Sequence, residues 1–283
     1  MSSAATGERM GVEWRLAAPL GLTYLAFFAA PLVILLVMSF SVDDNLGGFT
    51  IASWVKFWGD PFYRGVVWDT LRLGLVAVAV TTLFAYPIAL LFVASSPGMQ
   101  RLLLFIVLLP LLTSVVIRTF AWIVILSREG VLNQALLALG LTSVPLNLLQ
   151  TELGLVIALT QIEMPLMLLP LITVMGQIDP SLSDASRALG SSRWRTFRKV
   201  IVPLSLPGWI AGATLVFASA TTAFISQTVI GGARLVYLPT LIWQQAMVVY
   251  NWPFAAVASV TLLVAVLAGV SAFAMLGRFA RTS

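Results

Sequence analysis

Six stretches of this 283-residue chain are apolar for about 20 positions or more, at roughly 16–40, 67–94, 101–126, 152–176, 204–230 and 254–277. A helix of that length crosses a hydrocarbon layer of about 30 Å. The pattern therefore predicts an all-α, polytopic membrane protein with six transmembrane helices. The membrane domain spans 16–277, between short tails at 1–15 and 278–283. Arg9 and Arg15 before the first stretch resemble the start of a signal peptide. The apolar run that follows is longer than the roughly 7–15 residues of such a segment, so an uncleaved anchor is expected.

The segments between the spans divide by charge. If the N-terminus is inside, the inner segments hold Arg9, Arg15, Arg101, Arg187, Arg193, Arg195, Arg198, Lys199, Arg278 and Arg281, against Glu8, Glu13, Asp179 and Asp184. The outer segments and span edges hold Lys56, Arg64, Arg72, Arg118, Arg128 and Arg234, with six acids. The basic side is the cytoplasmic side, which predicts that both termini are cytoplasmic. In the outer segment 41–66, the run Asp43-Asp44-Asn45-Leu46-Gly47-Gly48 is rich in turn formers. Trp54 and Trp58 after it are expected as interfacial anchors or as contacts for a partner. Two further outer segments lie at 127–151 and 231–253. No internal repeat is evident, which weakens an inverted-repeat secondary transporter.

Composition agrees: 60% of residues are hydrophobic and 10% charged, with a mean hydropathy of +1.00. There is no cysteine and no histidine, which removes disulfides, thiol catalysis, cysteine-containing zinc sites and a Ser-His-Asp arrangement. No metal site or catalytic residue is assigned. A phosphate-cradling G-x-x-x-x-G-K-[ST] loop is also missing from the chain. The net charge of +5 is explained by basic loops beside spans, without nucleic acid.

The inner segment 179–203 carries the most information. Asp179 can cap a helix that opens with Pro180, Leu182, Ala185 and Leu189 share a face, and Gly190 suits a left-handed stop. A second short helix is expected over Ser192–Val200, ending before Pro203, with Trp194, Phe197 and Ile201 on one face and Arg195, Arg198 and Lys199 on the others. Such a pair could seat in a protein groove or lie on anionic lipid, and the physics alone does not choose.

The same segment resembles the EAA loop of binding-protein-dependent ABC importer permeases, E-A-A-x3-G-x9-I-x-L-P. Asp184, Ala185 and Ser186 stand for E-A-A, Gly190 for the glycine, Val200 for I and Val202-Pro203 for L-P. The spacings match; Glu has become Asp, the second Ala has become Ser, and two aliphatics are exchanged. The resemblance implies the type I importer permease fold. It also implies that Asp184, Ala185, Ser186, Leu189, Gly190, Trp194, Phe197, Val200 and Pro203 form the loop that docks an ATPase. Two further stretches, Pro110–Trp122 with Gly130-Val131-Leu132-Asn133, and Leu238–Ile242 with Asn251–Phe254, look like spermidine/putrescine permeases. They also fit opine and 4-aminobutyrate members.

Several polar residues lie inside the predicted spans. Glu163 is about halfway along the fourth, where a charge facing lipid costs several kcal/mol, so it should face the bundle interior or a wet cavity. It could attract an ammonium group, pair with Arg118 in the third span, or pack protonated. Pro165 frees a backbone carbonyl nearby. Trp122 could offer a cation–π wall or serve as an interfacial anchor. In the fifth span Ser219, Thr221, Thr222, Phe224, Ser226 and Gln227 form a polar and aromatic patch that could pack helices or line a path. The tentative pathway is Glu163, Arg118, Trp122, Thr222 and Phe224.

The resemblance implies a division of labour. A cytoplasmic ATPase dimer holds ATP and Mg; this chain holds no cofactor. A second permease, expected to be a different, homologous chain, completes the pathway, and an extracytoplasmic binding protein delivers a small cationic or amino-acid-like solute. The expected location is the bacterial cytoplasmic (inner) membrane. A proton-coupled secondary transporter and an intramembrane enzyme are the rival classes, and neither accounts for the 179–203 loop.

Overall fold

The computed structural model describes the backbone of residues 14–282 and the side chains of residues 18–277. The expected tails at 1–15 and 278–283 lie outside the described residues, apart from helix backbone at their inner edges. All secondary structure among the described residues is helical, except an isolated antiparallel bridge between Ser41 and Phe49.

Helix α1 (Trp14–Met38) is the first span and lies at the edge of the bundle, its described side chains mostly exposed. It leads into the expected turn, where the Asp43 carboxylate accepts hydrogen bonds from the Asn45 and Gly47 amides at 3.1 and 2.8 Å. Helix α2 (Ala52–Gly59) follows. Its Phe57 is fully buried against Tyr63 and Phe254 at centroid distances of 5.5 and 5.8 Å. Trp58 faces outward, whereas Trp54 is turned inward and stacks on Phe40 at 5.7 Å. Trp54 therefore packs against the protein instead of standing free as an anchor.

Helix α3 (Pro61–Ala94) begins before the expected 67 because Asp60 caps it, accepting from the Phe62 amide at 2.8 Å, with Pro61 at its first position. Arg64, Asp69 and Arg72 had masked these opening turns in the hydropathy pattern.

The third predicted span is not one helix. Helix α4 (Pro97–Leu108) continues as a 3₁₀ turn over Leu109–Leu112, and α5 (Val115–Leu126) and α6 (Val131–Ala138) follow. The two halves meet at a bend of 101°. Pro110 has no amide to continue the helix. Both the amide and hydroxyl of Thr113 turn back to the Pro110 carbonyl, at 3.2 and 2.7 Å, and Ser114 starts α5 as its cap.

Helix α7 (Glu152–Met175) is the centre of the bundle, buried along most of its length. Thr151 caps it, and Arg72 of α3 forms an ion pair with Glu152 at its start. Helix α8 (Pro180–Ala188) lies in the loop, followed by α9 (Arg193–Thr196). The expected stop before Pro203 does not occur. A π-turn over Phe197–Ile201 joins α9 to α10 (Val202–Thr221), so that Arg193–Thr221 runs as one span. The Val202 amide reaches back five residues to the Phe197 carbonyl, and this wider turn absorbs the donor that Pro203 lacks.

Helix α10 ends at Thr221, two residues intervene, and α11 (Phe224–Gly231) follows, so the stretch 204–230 predicted as the fifth span is two helices. Helix α12 (Leu238–Trp243) lies in the segment before α13 (Trp252–Thr282). It is anchored by the Thr70 hydroxyl of α3, which accepts from the Leu238 amide at 2.9 Å.

Close approach holds the core together, as expected where lipid supplies no hydrophobic drive between helices. A methyl group added at Gly212 of α10 would fall 2.8 Å from Met167 Sδ of α7, and one added at Gly269 of α13 would fall 2.2 Å from the Phe217 ring. Phe217 is 1% exposed in this pocket. Helices α3 and α10 are also tied by polar contacts: Trp209 Nε1 donates to Thr82 at 2.9 Å, and the Tyr86 and Ser205 hydroxyls lie 2.8 Å apart.

Candidate translocation site and docking loop

The two interruptions described above, at Thr113–Ser114 and Thr222–Ala223, open on one cavity of about 500 Å³. Its walls come from α5, α7, α10 and α11, and they include Leu111, Arg118, Glu163, Ser219, Thr222 and Phe224. Broken helices at membrane depth are tolerated where the freed backbone lines a cavity or meets another donor.

Glu163 is 3% exposed, and its Oε1 accepts a 2.9 Å hydrogen bond from the Ser219 hydroxyl. Arg118 is on the same wall but does not pair with it. Among the described residues, Arg72–Glu152 is the one ion pair. Arg118 Nη1 instead donates to the Ile162 carbonyl at 3.3 Å, while its Nε is buried without a partner. Of the three alternatives for Glu163, the ion pair with Arg118 is therefore absent from this geometry, and the two side chains face the cavity as separate ionisable groups.

Four of the five tentative pathway residues, Glu163, Arg118, Thr222 and Phe224, line this cavity. Trp122 does not. Its Nε1 donates to Gln161 Oε1 at 3.0 Å, directing the indole to another part of α7. Gln161 was not singled out in the sequence; a polar side chain beside Thr160 and Glu163 in an otherwise apolar span was the available signal.

At the basic end of the bundle, Asp179 caps α8, accepting from the Ser181 amide at 2.9 Å. That backbone hydrogen bond holds its carboxyl below the usual aspartate range. The helix ends in a Schellman arrangement: the Ser191 amide reaches the Ser186 carbonyl at 3.1 Å, the Gly190 amide reaches Arg187 at 2.9 Å, and Gly190 has φ of +83°.

Helices α8 and α9 are fastened by the Ser186 and Thr196 hydroxyls, 3.0 Å apart, with Thr196 2% exposed. Trp194 packs on Phe197 at 5.4 Å, and Phe197 meets Tyr86 of α3 edge-on at 6.2 Å. The face shared by Leu182, Ala185 and Leu189 is turned outward, with Leu189 88% and Trp194 69% exposed. Asp184, Gly190 and Pro203 are exposed as well, while Val200 is half-buried. The loop thus presents an uncovered apolar knob ringed by Arg187, Arg193 and Arg195.

Among the described residues, five helices long and apolar enough to cross a membrane, a bent pair that makes a sixth span when its halves are taken as one, and this braced loop define a membrane permease of the ABC importer kind. The chain belongs to the family described as the inner membrane component of binding-protein-dependent transport systems, which it matches over residues 3–281. It is 34% identical over 247 residues to the spermidine/putrescine transport system permease protein PotB of Haemophilus influenzae, covering 86% of each chain. It is 33% identical over 243 residues to PotB of Escherichia coli K12, covering 84% of this chain and 88% of that one. A molybdenum transport permease, ModB of Escherichia coli K12, is 30% identical over 171 residues, 56% of this chain and 72% of that one. In fold, the chain is similar to a bacterial ABC transporter that imports the acidic polysaccharide alginate. The TM-score is 0.73 at 19% identity, and the match covers 94% of this chain and 95% of that one. The methionine ABC transporter MetNI gives a TM-score of 0.55 at 22% identity, over 77% of this chain and 94% of that one. The protein is a multi-pass inner-membrane permease.

Proposed function

We propose that this permease carries a polyamine or a closely related small amine through the cavity that holds Glu163. The observation that carries the reading is a nearly buried carboxylate, bonded by one neutral hydroxyl, at the point where two spans are broken. Such a group offers an ammonium a counter-ion in a region of low dielectric. The polyamine names of the relatives at 33–34% identity point the same way.

On this reading the Gly190 loop faces the cytoplasm with both termini, following the basic-side rule. It docks an ATPase dimer that binds ATP and Mg, through the knob of Leu189 and Trp194. A binding protein delivers solute to the opposite end, and a second permease closes the other half of the pathway. A zwitterionic amine such as 4-aminobutyrate or an opine is the second reading. Arg118 favours it, since its guanidinium lines the same cavity and could meet a carboxylate.

The test is reconstitution of this chain with its ATPase, second permease and binding protein in vesicles. ATP-dependent uptake of labelled spermidine or putrescine supports the first reading. Uptake of 4-aminobutyrate with no polyamine uptake transfers the case to the second. Gradient-driven uptake by this chain alone would sink both.

A further inference from the structure

Gln227 is fully buried in α11, and its side-chain amide reaches back across the interruption in the fifth span. Nε2 donates to the carbonyls of Ala220 and Thr221, at 3.0 and 3.3 Å. In an unbroken helix those carbonyls would accept from the amides four residues on, at Phe224 and Ile225. The Phe224 amide instead closes a tight turn onto the Thr222 carbonyl at 2.7 Å, with Ala223 at φ −73° and ψ 59°. The break thus strips the end of α10 of a helical donor. A bare carbonyl inside a membrane bundle is costly, and one glutamine amide serves two of them.

A second fastening lies beside it. The Ser226 hydroxyl is 3.1 Å from that of Thr119 on α5, and both residues are buried. Thr119 directly follows Arg118, and Thr222 and Phe224 flank the turn that the glutamine braces. Three cavity walls are therefore fixed relative to one another through residues 226 and 227.

We propose that Gln227 is a positioning residue of the permease: by capping the end of α10 it holds the 222–224 turn open toward the cavity and sets the place of Thr222 and Phe224. This role rests on the cavity being the translocation path. It differs from Glu163's role, because Gln227 does not line the cavity and would act only through the turn.

The chain contains no cysteine, so Thr222→Cys supplies a single thiol at the turn. Its labelling rate by a cationic methanethiosulfonate reagent would be measured in the assembled, vesicle-embedded importer, with and without spermidine or putrescine. Uptake KM would be measured beside it in the Thr222 protein. The comparison is between Gln227, Gln227→Leu, which keeps the bulk and loses both donors, and Gln227→Asn, which keeps the amide but is one methylene too short.

The expected result is a change of about fivefold or more in labelling rate for both variants, the size expected for losing one net hydrogen bond. Uptake KM should rise by a similar factor, with binding-protein-stimulated ATP hydrolysis within about twofold of the parent. Unchanged labelling and KM in either variant that assembles would overturn the proposal. Failure of both variants to assemble would also overturn it, in favour of a general folding role. A labelling change at Thr222→Cys with no protection by the amine would retire the pathway reading, and the substrate-positioning role with it, and leave only the capping of α10 by Gln227.

Discussion

Ser219 of α10 donates a 2.9 Å hydrogen bond to Oε1 of Glu163 of α7, at the boundary between the most buried helix and the cavity. The contact supplies one donor to a group that could accept from several. The carboxylate is therefore held in place with capacity left for an incoming cation, which separates it from a carboxylate locked in a structural ion pair.

Glu163→Gln should leave the Ser219 contact intact, since a side-chain amide oxygen can still accept it, while removing the charge. Uptake of a cationic amine should fall by about tenfold or more, corresponding to roughly 1.4 kcal/mol of lost attraction. Assembly with the ATPase should be unchanged. Parent-level uptake at normal expression would end the pathway role of Glu163.

Gly190 has φ of +83°, and Trp194 is 69% exposed. Proline at 190 cannot adopt that angle, and aspartate at 194 places a charge on the apolar knob. Both Gly190→Pro and Trp194→Asp should reduce co-purification of the ATPase by about tenfold or more. Retention of the ATPase and of coupled hydrolysis in both variants would exclude docking through this loop.

Thr196→Val removes the hydroxyl that meets Ser186 while keeping the shape of a buried side chain. The loss should be about 1 kcal/mol in the stability of the loop, read as faster amide exchange across residues 181–191. ATP hydrolysis should become less responsive to the binding protein. Parent-like exchange would show that the α8–α9 brace comes from other contacts.

Gly212→Leu must push Met167 out of van der Waals contact range, because even a Cβ would lie 2.8 Å from its sulfur. Such overpacking costs typically 1–3 kcal/mol and should lower both the melting temperature and the yield of the purified permease. Gly98→Ala, where an added methyl meets nothing within 4 Å, provides a control for a glycine substitution in open space and should behave like the parent. Equal melting temperatures for the two variants would contradict the close α7–α10 contact.

Hydropathy located the five long apolar helices, and the cap residues located the helix between Asp179 and Gly190, because length, apolarity and caps are local properties. The interruptions were not legible in the same way. Pro110 and the Thr221–Ala223 stretch lie inside apolar runs that a hydropathy window averages over. Whether a helix continues there depends on which distant group satisfies its carbonyls. Gln227 was visible only as part of a polar patch, since its function is defined by carbonyls six and seven positions away across a turn. Arg118 and Glu163 invited pairing by proximity, and the Ile162 carbonyl, which no sequence pattern advertises, took the guanidinium instead. The run-on of α9 into α10 was missed because Pro203 reads as a stop unless the preceding turn widens.

That run-on has a mechanical consequence. Arg193–Thr221 is 29 residues long, which at the helical rise amounts to a strut of roughly 44 Å. One end carries the exposed indole of Trp194, and the other stops two residues short of Phe224. For a rigid rod of this length, a tilt of about 5° at one end displaces the other by about 4 Å. The π-turn over Phe197–Ile201 lies near one end of the strut, and Thr222, which lines the cavity, follows directly on the other.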